Sequence, residues 1–419
     1  MFSKFLYNIG IYLYYFGIRI SSIFNRKARL WVKGRNYYFE GLKIALERNG
    51  FNKPDTKKAW FHCASLGEFE QGRPIIEAFR KQHPDYKILL TFFSPSGYEV
   101  RKAYVGADLI LYLPIDTPKN ARKFVAITKP DIAFFVKYEF WYNILEQLQK
   151  NNIPIVLISG IFRPEQIFFR WYGSWARKIL SGYKHIFVQN EDSKQLLEFI
   201  SINNVSISGD TRFDRVFEVS QKDINFPVLE AFCKDNLVLI GGSTWEKDEE
   251  LILSLVENSE IPLRYIIAPH EINEERILKL MLSTKCNTIR YTQSSINETK
   301  SAKVMILDTI GMLSEVYKYG YIAYVGGGFG DGIHNILEPA AFGLPIIIGP
   351  KMSKFQEAYD LIQRDAVTVV HNQFVLEKTV NELINNKQRY KEASQNCLSY
   401  IKARTGATKK VMQWLQEEL

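Results

Sequence analysis

Short apolar runs recur along this chain of 419 residues and alternate with longer amphipathic stretches. A first set occupies 57–65, 86–94, 107–115, 130–138, 153–160, 185–190 and 205–210, and a second set occupies 236–243, 263–270, 287–292, 304–309, 321–328, 345–349 and 366–370. Most runs are β-branched and nearly continuous in apolar character, which is typical of strands buried on both faces of a parallel sheet. Helical patterns such as EELILSLVE (249–257) lie between them, so we predict two doubly wound α/β halves.

The length of the chain also favours two domains, because one hydrophobic core rarely serves more than about 300 residues. A polar connection near 211–235 separates the two sets of runs. We predict an N-terminal anchor at 1–30, Rossmann-like domains at 31–216 and 217–385, and a helical segment at 386–419 that returns to the first half. Ligands of such folds bind beyond the carboxyl ends of the strands, so the motifs that follow strands are the candidates for function.

The N-terminal stretch FLYNIGIYLYYFGI (5–18) carries no charge. As a helix it reaches about 21 Å, short of the roughly 30 Å hydrocarbon core of a bilayer. Its tyrosines suit a membrane interface, and the basic residues that follow suit an anionic leaflet: Arg19, Arg26, Lys27, Arg29, Lys33 and Arg35. No small-residue cleavage site follows, so we expect an uncleaved anchor that either spans the membrane or lies half-buried in its interface. The alternative is an apolar helix packed on the protein.

The charge of the chain narrows the class of partner, and its cysteine content indicates the redox compartment. The formal charge of +9 favours acidic partners, namely nucleic acid, anionic lipid or a phosphorylated ligand. No long basic run or RNA-binding signature is present, so nucleic acid is not a predicted partner. Four scattered cysteines without a CxxC pair argue for a reducing compartment and against a zinc site or a disulfide framework.

The glycine-rich stretch VGGGFGDGIHNILEPAAFG (325–343) follows a predicted strand of the second half. It lacks the lysine of a Walker motif, and its glycine spacing does not fit a dinucleotide fingerprint. Asn335 is a suitable N-cap for a helix that Gly343 ends, and the amides at that helix start could bind an anion. Glu338 has two interpretations: it completes a capping box with Asn335, or its carboxylate holds the two hydroxyls of a nucleotide ribose.

Another strand of the second half ends in GGSTWEKDEE (241–250). Ser243 and Glu246 have the spacing of a capping box, which predicts a plain helix start. Ser243 and Thr244 also offer amides and hydroxyls suited to a phosphate. The next strand ends in APH (268–270), where His270 is either a structural residue or a group in the same site.

In the first half, the strand at 57–65 ends in ASLGE and continues into a helical pattern. Glu68, after Gly67, is either a partner of the helix dipole or a general base that takes a proton from an attacking hydroxyl, and Glu70 competes for that role. A second strand end, VKYEFWYN (136–143), carries Lys137 and Glu139. These two charges either solvate the strand end or hydrogen-bond a polar substrate.

Taken together, these motifs resemble those of the 3-deoxy-D-manno-octulosonic acid (Kdo) transferases. The resemblance covers nearly the whole chain and rests on HCASLGEFEQGRPII, TFFSPSGYE, YLPIDTP, VKYEFWYN, GGSTWEKDEE, ILDTIG, VGGGFGDGIHNILEPAAFGLPIIIGP and KFQEA, in this order. It implies a GT-B fold, with two Rossmann-like domains facing each other across a cleft, an N-terminal acceptor domain and a C-terminal domain that binds CMP-Kdo. It further implies transfer of Kdo to a tetra-acylated lipid A precursor (lipid IVA), in lipopolysaccharide core biosynthesis, at the cytoplasmic face of the inner membrane of a Gram-negative bacterium. No metal or other cofactor is implied.

Carried over by motif, the family's general base falls on Glu68. The CMP-contacting positions fall on Pro269, His270, Ile310, Gly311, Met312, Asn335, Ile336, Leu337 and Glu338. Many members have Pro-Arg-His where this chain has Pro-His-Glu at 269–271, so one cationic phosphate contact is missing, and Arg212 and Lys351 are candidates to replace it. Many members also have Gly-Glu where this chain has Gly311-Met312, which leaves no polar side chain at position 312.

Two other functions remain open at the level of sequence. One is a membrane-associated GT-B glycosyltransferase that uses a UDP- or GDP-sugar donor. The other is a membrane-tethered protein that binds a nucleotide without catalysis. An NAD-dependent enzyme is disfavoured, because neither half opens with a dinucleotide fingerprint and its acidic ribose partner.

Overall fold

The computed structural model describes residues 2–137, 139–258, 261–353 and 355–418. The chain divides into two compact units, the first formed by Met1–Arg215 with Thr405–Leu419 and the second by Val216–Arg404. The boundary falls inside a helix of the predicted polar connection. The return to the first unit begins at Thr405 rather than near residue 386, because the helix after Asn386 packs within the second unit.

Parallel strands and helices alternate in both units. The strands are β1 (Lys57–Cys63), β2 (Tyr86–Phe92), β3 (Leu109–Tyr112), β4 (Ile132–Val136), β5 (Ile155–Gly160), β6 (His185–Val188), β7 (Val205–Ile207), β8 (Leu237–Thr244), β9 (Leu263–Pro269), β10 (Thr288–Arg290), β11 (Val304–Ile306), β12 (Ile322–Val325), β13 (Ile346–Ile348) and β14 (Val367–Val369). One of these strands lies in each predicted apolar run, with β8 reaching one residue beyond the run at 236–243, which confirms that part of the sequence analysis.

Helices precede, connect and follow these strands along the chain. They are α1 (Phe2–Ser21), α2 (Arg26–Lys33), α3 (Tyr38–Arg48), α4 (Leu66–Gln82), α5 (Pro95–Arg101), α6 (Pro118–Thr128), α7 (Tyr142–Lys150), α8 (Ser174–Leu180), α9 (Glu191–Phe199), α10 (Thr211–Ser220), α11 (Pro227–Cys233), α12 (Glu246–Asn258), α13 (Glu274–Leu282), α14 (Leu313–Val316), α15 (Leu337–Ala341), α16 (Gln356–Ile362), α17 (Gln373–Asn385), α18 (Lys387–Lys402) and α19 (Ala407–Glu418).

The two sheets share a doubly wound order. The first is a 7-stranded sheet in the order β3-β2-β1-β4-β5-β6-β7, and the second is a 7-stranded sheet in the order β10-β11-β9-β8-β12-β13-β14. All registered pairs are parallel, as the continuous apolar runs predict. In each sheet the strand order reverses beside the first strand, β1 or β8, so the carboxyl ends of these strands lie at the switch point where ligands of such sheets bind.

Burial on both faces explains why the strands have no polar alternation. On one face of the first sheet Trp60 packs edge-on against Phe124 and Phe135, with ring centroids 5.0 and 5.2 Å apart. On the other face Phe61 stacks on Phe134 at 4.4 Å. Because consecutive residues of a strand point to opposite faces, both must be apolar, and burying each such side chain contributes about 1.5–3 kcal/mol.

The returning helix α19 completes the first unit. Its Val411, Met412 and Leu415 are buried in the core cluster beside β1 and α4. The Asp214 carboxylate accepts hydrogen bonds from the backbone amides of Gly406 and Thr408 and so fixes the turn that begins the helix. By contrast, α18 packs on α15, α16 and α17 of the second unit.

The N-terminal helix α1 is attached to the first unit by one face. The Tyr7 hydroxyl donates to Asp116 Oδ2 at 2.7 Å, and Asn143 donates to the Asn8 side chain at 2.9 Å. The opposite face exposes a stripe of large apolar side chains, each 40–65% accessible: Phe5, Leu6, Ile9, Leu13, Phe16 and Ile20. Among the residues that the structure describes, no helix is both long enough and apolar enough to cross a membrane.

Arg35 does not belong to the basic membrane-facing flank in which the sequence analysis placed it. Its guanidinium lies 3.8 Å over the Trp31 ring and donates to the backbone carbonyls of Trp31, Phe93 and Leu113. Burial lowers the pKa of this group to about 9. The charge is therefore used to join α2 to the loops after β2 and β3, not to face an anionic surface.

Candidate functional site

Glu68 lies where the sequence predicts a carboxylate, at the carboxyl end of β1 and in the first turn of α4. Ser65, the N-cap residue, has an extended backbone, and its hydroxyl donates to Glu68 Oε2 instead of capping a helix amide. Glu68 is half-buried, and Gly67 beside it is exposed, with Ser65 Oγ 3.8 Å from where a Cβ would stand. The carboxylate is therefore oriented by the protein and accessible at the edge where ligands bind.

The competing carboxylate, Glu70, has a structural partner. Arg101 Nη2 donates to Glu70 Oε1 at 2.7 Å, which joins α4 to α5. Beneath this helix, burial and then the negative charges of Glu68 and Glu139 raise the pKa of the Cys63 thiol. Cys63 is thus an inert core residue, and Glu68 is the carboxylate of this strand end with an exposed approach.

Glu139 is bound within a buried polar cluster that the sequence analysis missed. The Trp141 indole donates to Glu139 Oε2 at 2.6 Å, and the same oxygen lies 3.3 Å from His62 Nε2. His62 is fully buried, and its Nδ1 lies 2.9 Å from Thr91 Oγ1. These contacts tie the ends of β1, β2 and β4 together, which gives Glu139 a supporting role beside the Glu68 edge.

Lys137 and Arg212, the other candidate contacts of the first unit, are both constrained by local structure. Lys137 has a positive φ of 66°, and its amide donates to Ile158 O at 2.9 Å as β4 ends. Arg212, in the first turn of α10, uses both its backbone amide and its Nε to bind Asp210, at 2.9 and 2.8 Å. As a replacement phosphate contact, Arg212 would have to share its guanidinium with Asp210.

In the second unit, the β8–α12 turn differs from the predicted capping box. Helix α12 begins at Glu246, and Asp248 Oδ2 accepts the Trp245 amide at 2.9 Å, so Asp248 is the capping carboxylate. Glu246 points outward to Lys279 at 3.0 Å. The prediction that Ser243 and Glu246 form the box is therefore wrong by two residues, because β8 continues to Thr244, with a positive φ of 52° at Ser243, and the helix starts later.

Thr244 and Pro269 are buried at their strand ends. The Thr244 hydroxyl donates to Glu249 Oε1 at 2.9 Å, so it holds the turn and is not free for a phosphate. Arg276 completes this contact by donating to the same Glu249 oxygen at 3.0 Å. The prediction of Thr244 as a hydroxyl contact is thus wrong, whereas Ser243 stays at the partly exposed surface of the turn.

Three aromatic rings stack at the carboxyl ends of β8, β9 and β12. The His270 ring stacks on both Trp245 and His334, with ring centroids 4.7 and 4.3 Å away. The Trp245 indole also donates to His334 Nε2 at 3.0 Å, so a neutral His334 carries its proton on Nδ1. Burial lowers the pKa of His334 to about 4, and burial likewise lowers the pKa of His270. The stack is an uncharged platform at neutral pH.

The helix after the glycine-rich loop starts one residue later than predicted. Helix α15 begins at Leu337 with Ile336 as its N-cap, both buried, and Asn335 Oδ1 accepts the Leu337 amide at 3.1 Å. The Asn335 side-chain amide donates to Glu338 Oε1 at 3.0 Å, so the expected partners meet through their side chains. Gly343, with a φ of 71°, ends the helix as predicted.

The remaining predicted CMP contacts lie in the loop between β11 and α14. Ile310 is 86% exposed, and Gly311 has a positive φ of 94°. Met312 is the N-cap residue of α14, and its sulfur accepts a hydrogen bond from the Thr309 hydroxyl at 3.1 Å. The loop therefore offers backbone groups at positions 310 and 311 and a thioether, already in contact, at position 312.

Lys351 lies beside the glycine-rich loop of the second unit. Its amide donates to Gly328 O at 2.8 Å, and its carbonyl accepts the Ile333 amide at 3.1 Å. It also lines a cavity of about 300 Å³ with Asp331 and Gly332. Of the two candidate cations, Lys351 is the one held in the same unit as the predicted CMP contacts.

The protein's sequence matches known Kdo transferases over most of its length. Residues 43–215 match the family model described as 3-deoxy-D-manno-octulosonic-acid transferase (kdotransferase). The chain is 26% identical over 375 residues to the 3-deoxy-D-manno-octulosonic acid transferase of Rickettsia typhi, covering 86% of this chain and 78% of that protein. It is 27% identical over 339 residues to the enzyme of the same name from Aquifex aeolicus, covering 79% and 87%.

Solved structures support the same fold at low sequence identity. UDP-GlcNAc 2-epimerase from Neisseria meningitidis, bound to UDP-GlcNAc, superposes with a TM-score of 0.59 at 16% identity, over 86% of this chain and 100% of that chain. A glycosyltransferase from Rickettsia africae superposes with a TM-score of 0.54 at 13% identity, over 87% and 98%. Two Rossmann-like units with parallel sheets and these neighbours define a GT-B fold. In sequence the chain is thus similar to Kdo transferases over most of its length, and it shares the fold of GT-B glycosyltransferases.

Proposed function

We propose that the chain transfers Kdo from CMP-Kdo to a tetra-acylated lipid A precursor, with Glu68 as the general base. The observation that carries this proposal is the Glu68 carboxylate, oriented by Ser65 and half-buried at the carboxyl edge of the first sheet. A carboxylate is ionised at neutral pH, and partial desolvation by a bound ligand would strengthen it as a base. Glu70, its rival in the sequence, is already paired with Arg101.

The reaction follows from one base and a good leaving group. Glu68 takes the proton of an acceptor hydroxyl while that oxygen attacks the anomeric carbon of Kdo. The bond between this carbon and the phosphate oxygen breaks through an oxocarbenium-like transition state, and CMP leaves from the opposite face with inversion. The leaving phosphate needs no protonated acid, unlike the paired carboxyl groups of glycoside hydrolysis. The reaction as written uses no metal or other cofactor.

The donor is assigned to the second unit. Asn335 and Glu338 lie together at the start of α15, where the Glu338 carboxylate can accept both hydroxyls of a ribose. His270 and the backbone of Ile310 and Gly311 belong to the strand-end loops that would surround the nucleotide. Lys351 would supply the cationic contact that the Pro-His-Glu sequence at 269–271 lacks.

The acceptor is a membrane lipid, and α1 is the proposed contact with the inner membrane, at its cytoplasmic face. An exposed apolar stripe opposite the attached face is unusual for a helix packed on a protein, and stripes of this kind mark interaction surfaces. Arg19 lies in the last turn of α1, and Arg26 and Lys27 begin α2, where they would meet anionic headgroups. The helix would lie in the interface, its apolar face directed into the bilayer.

One assay tests the proposed reaction. Purified enzyme is incubated with CMP-Kdo and a lipid A precursor, and the lipid products are weighed by mass spectrometry. We expect the acceptor mass to rise by whole Kdo units and CMP to be released. Absence of product from CMP-Kdo, with product from a UDP- or GDP-sugar, would reassign the donor. Binding of CMP without product from any donor would favour the non-catalytic alternative.

A second experiment tests the membrane contact. Co-sedimentation with vesicles that contain anionic lipid should fall for Leu13→Ser and Phe16→Ser, which shorten the exposed stripe of α1. Val105→Ser is the matched control, because Val105 is 96% exposed on the same unit but lies outside the stripe. Equal vesicle binding by all three variants would reject α1 as the contact.

A further inference from the structure

Asp248 is a fully buried carboxylate in the second unit that no part of the proposed reaction uses. The Asp248 side chain is 1% exposed and accepts three hydrogen bonds. Its Oδ2 accepts the amides of Trp245 at 2.9 Å and Gly327 at 2.8 Å, and its Oδ1 accepts the Tyr324 hydroxyl at 2.8 Å. One side chain thus accepts hydrogen bonds from the turn after β8, from the loop after β12 and from Tyr324 within β12.

Helix capping explains only one of these three bonds. A carboxylate at the third helical position commonly accepts the N-cap amide, which accounts for Trp245. The Gly327 amide belongs to another loop and needs a partner of its own, because a buried N–H without an acceptor is costly. Gly327 also has a positive φ of 91°, so its backbone conformation is a special one that the Asp248 contact helps to hold.

The two loops are in direct backbone contact at this point. A Cβ added to Gly326 would overlap the Ser243 carbonyl oxygen and lie 2.7 Å from Thr244 Cα and 2.9 Å from Asp248 Oδ2. Above this contact, the Trp245 indole donates to His334, whose amide is bonded to Gly326 O at 3.1 Å. The contact that Asp248 makes between the two loops therefore supports the backbone that carries Trp245 and His334.

We propose that Asp248 is a positioning residue, which ties the β8–α12 turn to the glycine-rich loop and thereby places Trp245, His270 and His334 for nucleotide binding. This inference rests on the proposed function, since it takes the second unit as the CMP site. Asp248 itself touches no ligand. Its effect passes through the backbone of the two loops, and a displacement of about 1 Å at such a site changes rates or affinities by as much as ~10²-fold.

The matched pair of variants is Asp248→Asn and Tyr324→Phe. Asparagine keeps the shape but removes the negative charge. Its single oxygen must take the place of Oδ2 to serve both loop amides, and these two bonds then lose their charge assistance. Phenylalanine removes only the hydroxyl on Oδ1 and leaves both loop amides bonded to Oδ2. If Asp248 only stabilises the fold, the two variants should lower the thermal unfolding temperature and leave CMP binding unchanged.

We expect the CMP dissociation constant, measured by calorimetry on the full chain, to rise at least about tenfold in Asp248→Asn and to stay within about twofold in Tyr324→Phe. We also expect the pKa of His334, measured by NMR, to rise from about 4 in Asp248→Asn as its contact with Trp245 loosens. Unchanged CMP affinity and an unchanged His334 pKa in a folded Asp248→Asn protein would overturn the proposal.

A measurement on the unaltered protein covers the case in which Asp248→Asn does not fold. The Gly327 amide should exchange with solvent as slowly as the core amides of β12, because it is buried and bonded to Asp248. Exchange at the rate of an open loop would overturn the positioning role. If the unaltered protein does not bind CMP at all, the donor assignment fails, while the exchange rate and the His334 pKa still decide the role of Asp248.

Discussion

The carboxylates at the carboxyl ends of the two sheets differ in burial and in hydrogen bonding. In the first unit, Glu68 is left half-buried with one hydrogen bond from Ser65. In the second unit, Asp248 and Glu249 are buried and bonded at the β8–α12 turn, and the groups left at the surface include the neutral rings of His270 and His334. The same sheet topology thus presents an accessible carboxylate at one edge and a group of neutral rings at the other.

The largest effect should come from substituting one carboxylate in each unit, because one substitution should lower kcat and the other should raise KM. Glu68→Gln should lower kcat by about 10²–10⁴-fold, the usual contribution of a general base, with little change in the KM for CMP-Kdo. Glu338→Gln should mainly raise the KM for CMP-Kdo, because it removes a ribose acceptor. Steady-state kinetics of both variants make the test, with Glu70→Gln as the control that keeps near-normal kcat. If Glu68→Gln and Glu338→Gln changed kcat and KM in the same way, the proposed division of roles would be wrong.

The pH dependence of stability should have opposite signs in the two units. Burial raises the pKa of Asp116, which binds Tyr7, to about 6, so the folded state retains a proton that the unfolded state has lost between pH 4 and 6. Stability from this group therefore falls as the pH rises, and it is about 1 kcal/mol greater at pH 5 than at pH 7. The pKa of His334 is lowered to about 4, so its contribution is present above pH 6.5 and is lost on acidification.

Unfolding followed at pH 5 and pH 7 measures both contributions. The stability advantage of the unaltered protein over Asp116→Asn should be larger at pH 5, and its advantage over His334→Gln should be larger at pH 7. If both differences changed in the same direction, the contrast between the two units would be wrong.

A smaller effect is expected from the group that orients the base. Ser65→Ala removes the hydrogen bond to Glu68 without removing the carboxylate. Loss of one charge-assisted hydrogen bond corresponds to roughly tenfold in kcat, well below the effect of Glu68→Gln. Kinetics of Ser65→Ala and Ser65→Thr test this, since threonine retains the hydroxyl and should restore most of the rate. A Ser65→Ala enzyme with full activity would show that Glu68 needs no orientation.

The smallest effect concerns the ring stack. Trp245→Phe keeps an aromatic ring against His270 but removes the indole donor to His334. The pKa of His334 should then rise by a fraction of a unit, because burial and not this bond is the main cause of its low value. An NMR titration of His334 measures the change. A His334 pKa near 6.5 in Trp245→Phe would mean that the indole contact, rather than burial, keeps the ring neutral.

The strands could be predicted from the sequence because burial on both faces leaves a continuous apolar run such as 132–136. Glu68 and Gly343 could also be placed, since each depends on the local order of a strand, a helix and a turn. Contacts between distant positions left no local pattern: Asp248 meets Gly327 79 positions away, and Tyr7 meets Asp116 109 positions away. For this reason neither the contact of Asp248 with the glycine-rich loop nor the polar attachment of α1 was foreseen.

The most direct test of the account is a structure of the enzyme with CMP and a lipid A precursor bound together. We predict that the Glu68 carboxylate lies about 2.6–3.2 Å from the acceptor hydroxyl, with CMP bound at Asn335 and Glu338 of the second unit. An acceptor hydroxyl held by another carboxylate, or bound where Glu68 cannot reach it directly or through one water, would contradict the assignment of the base.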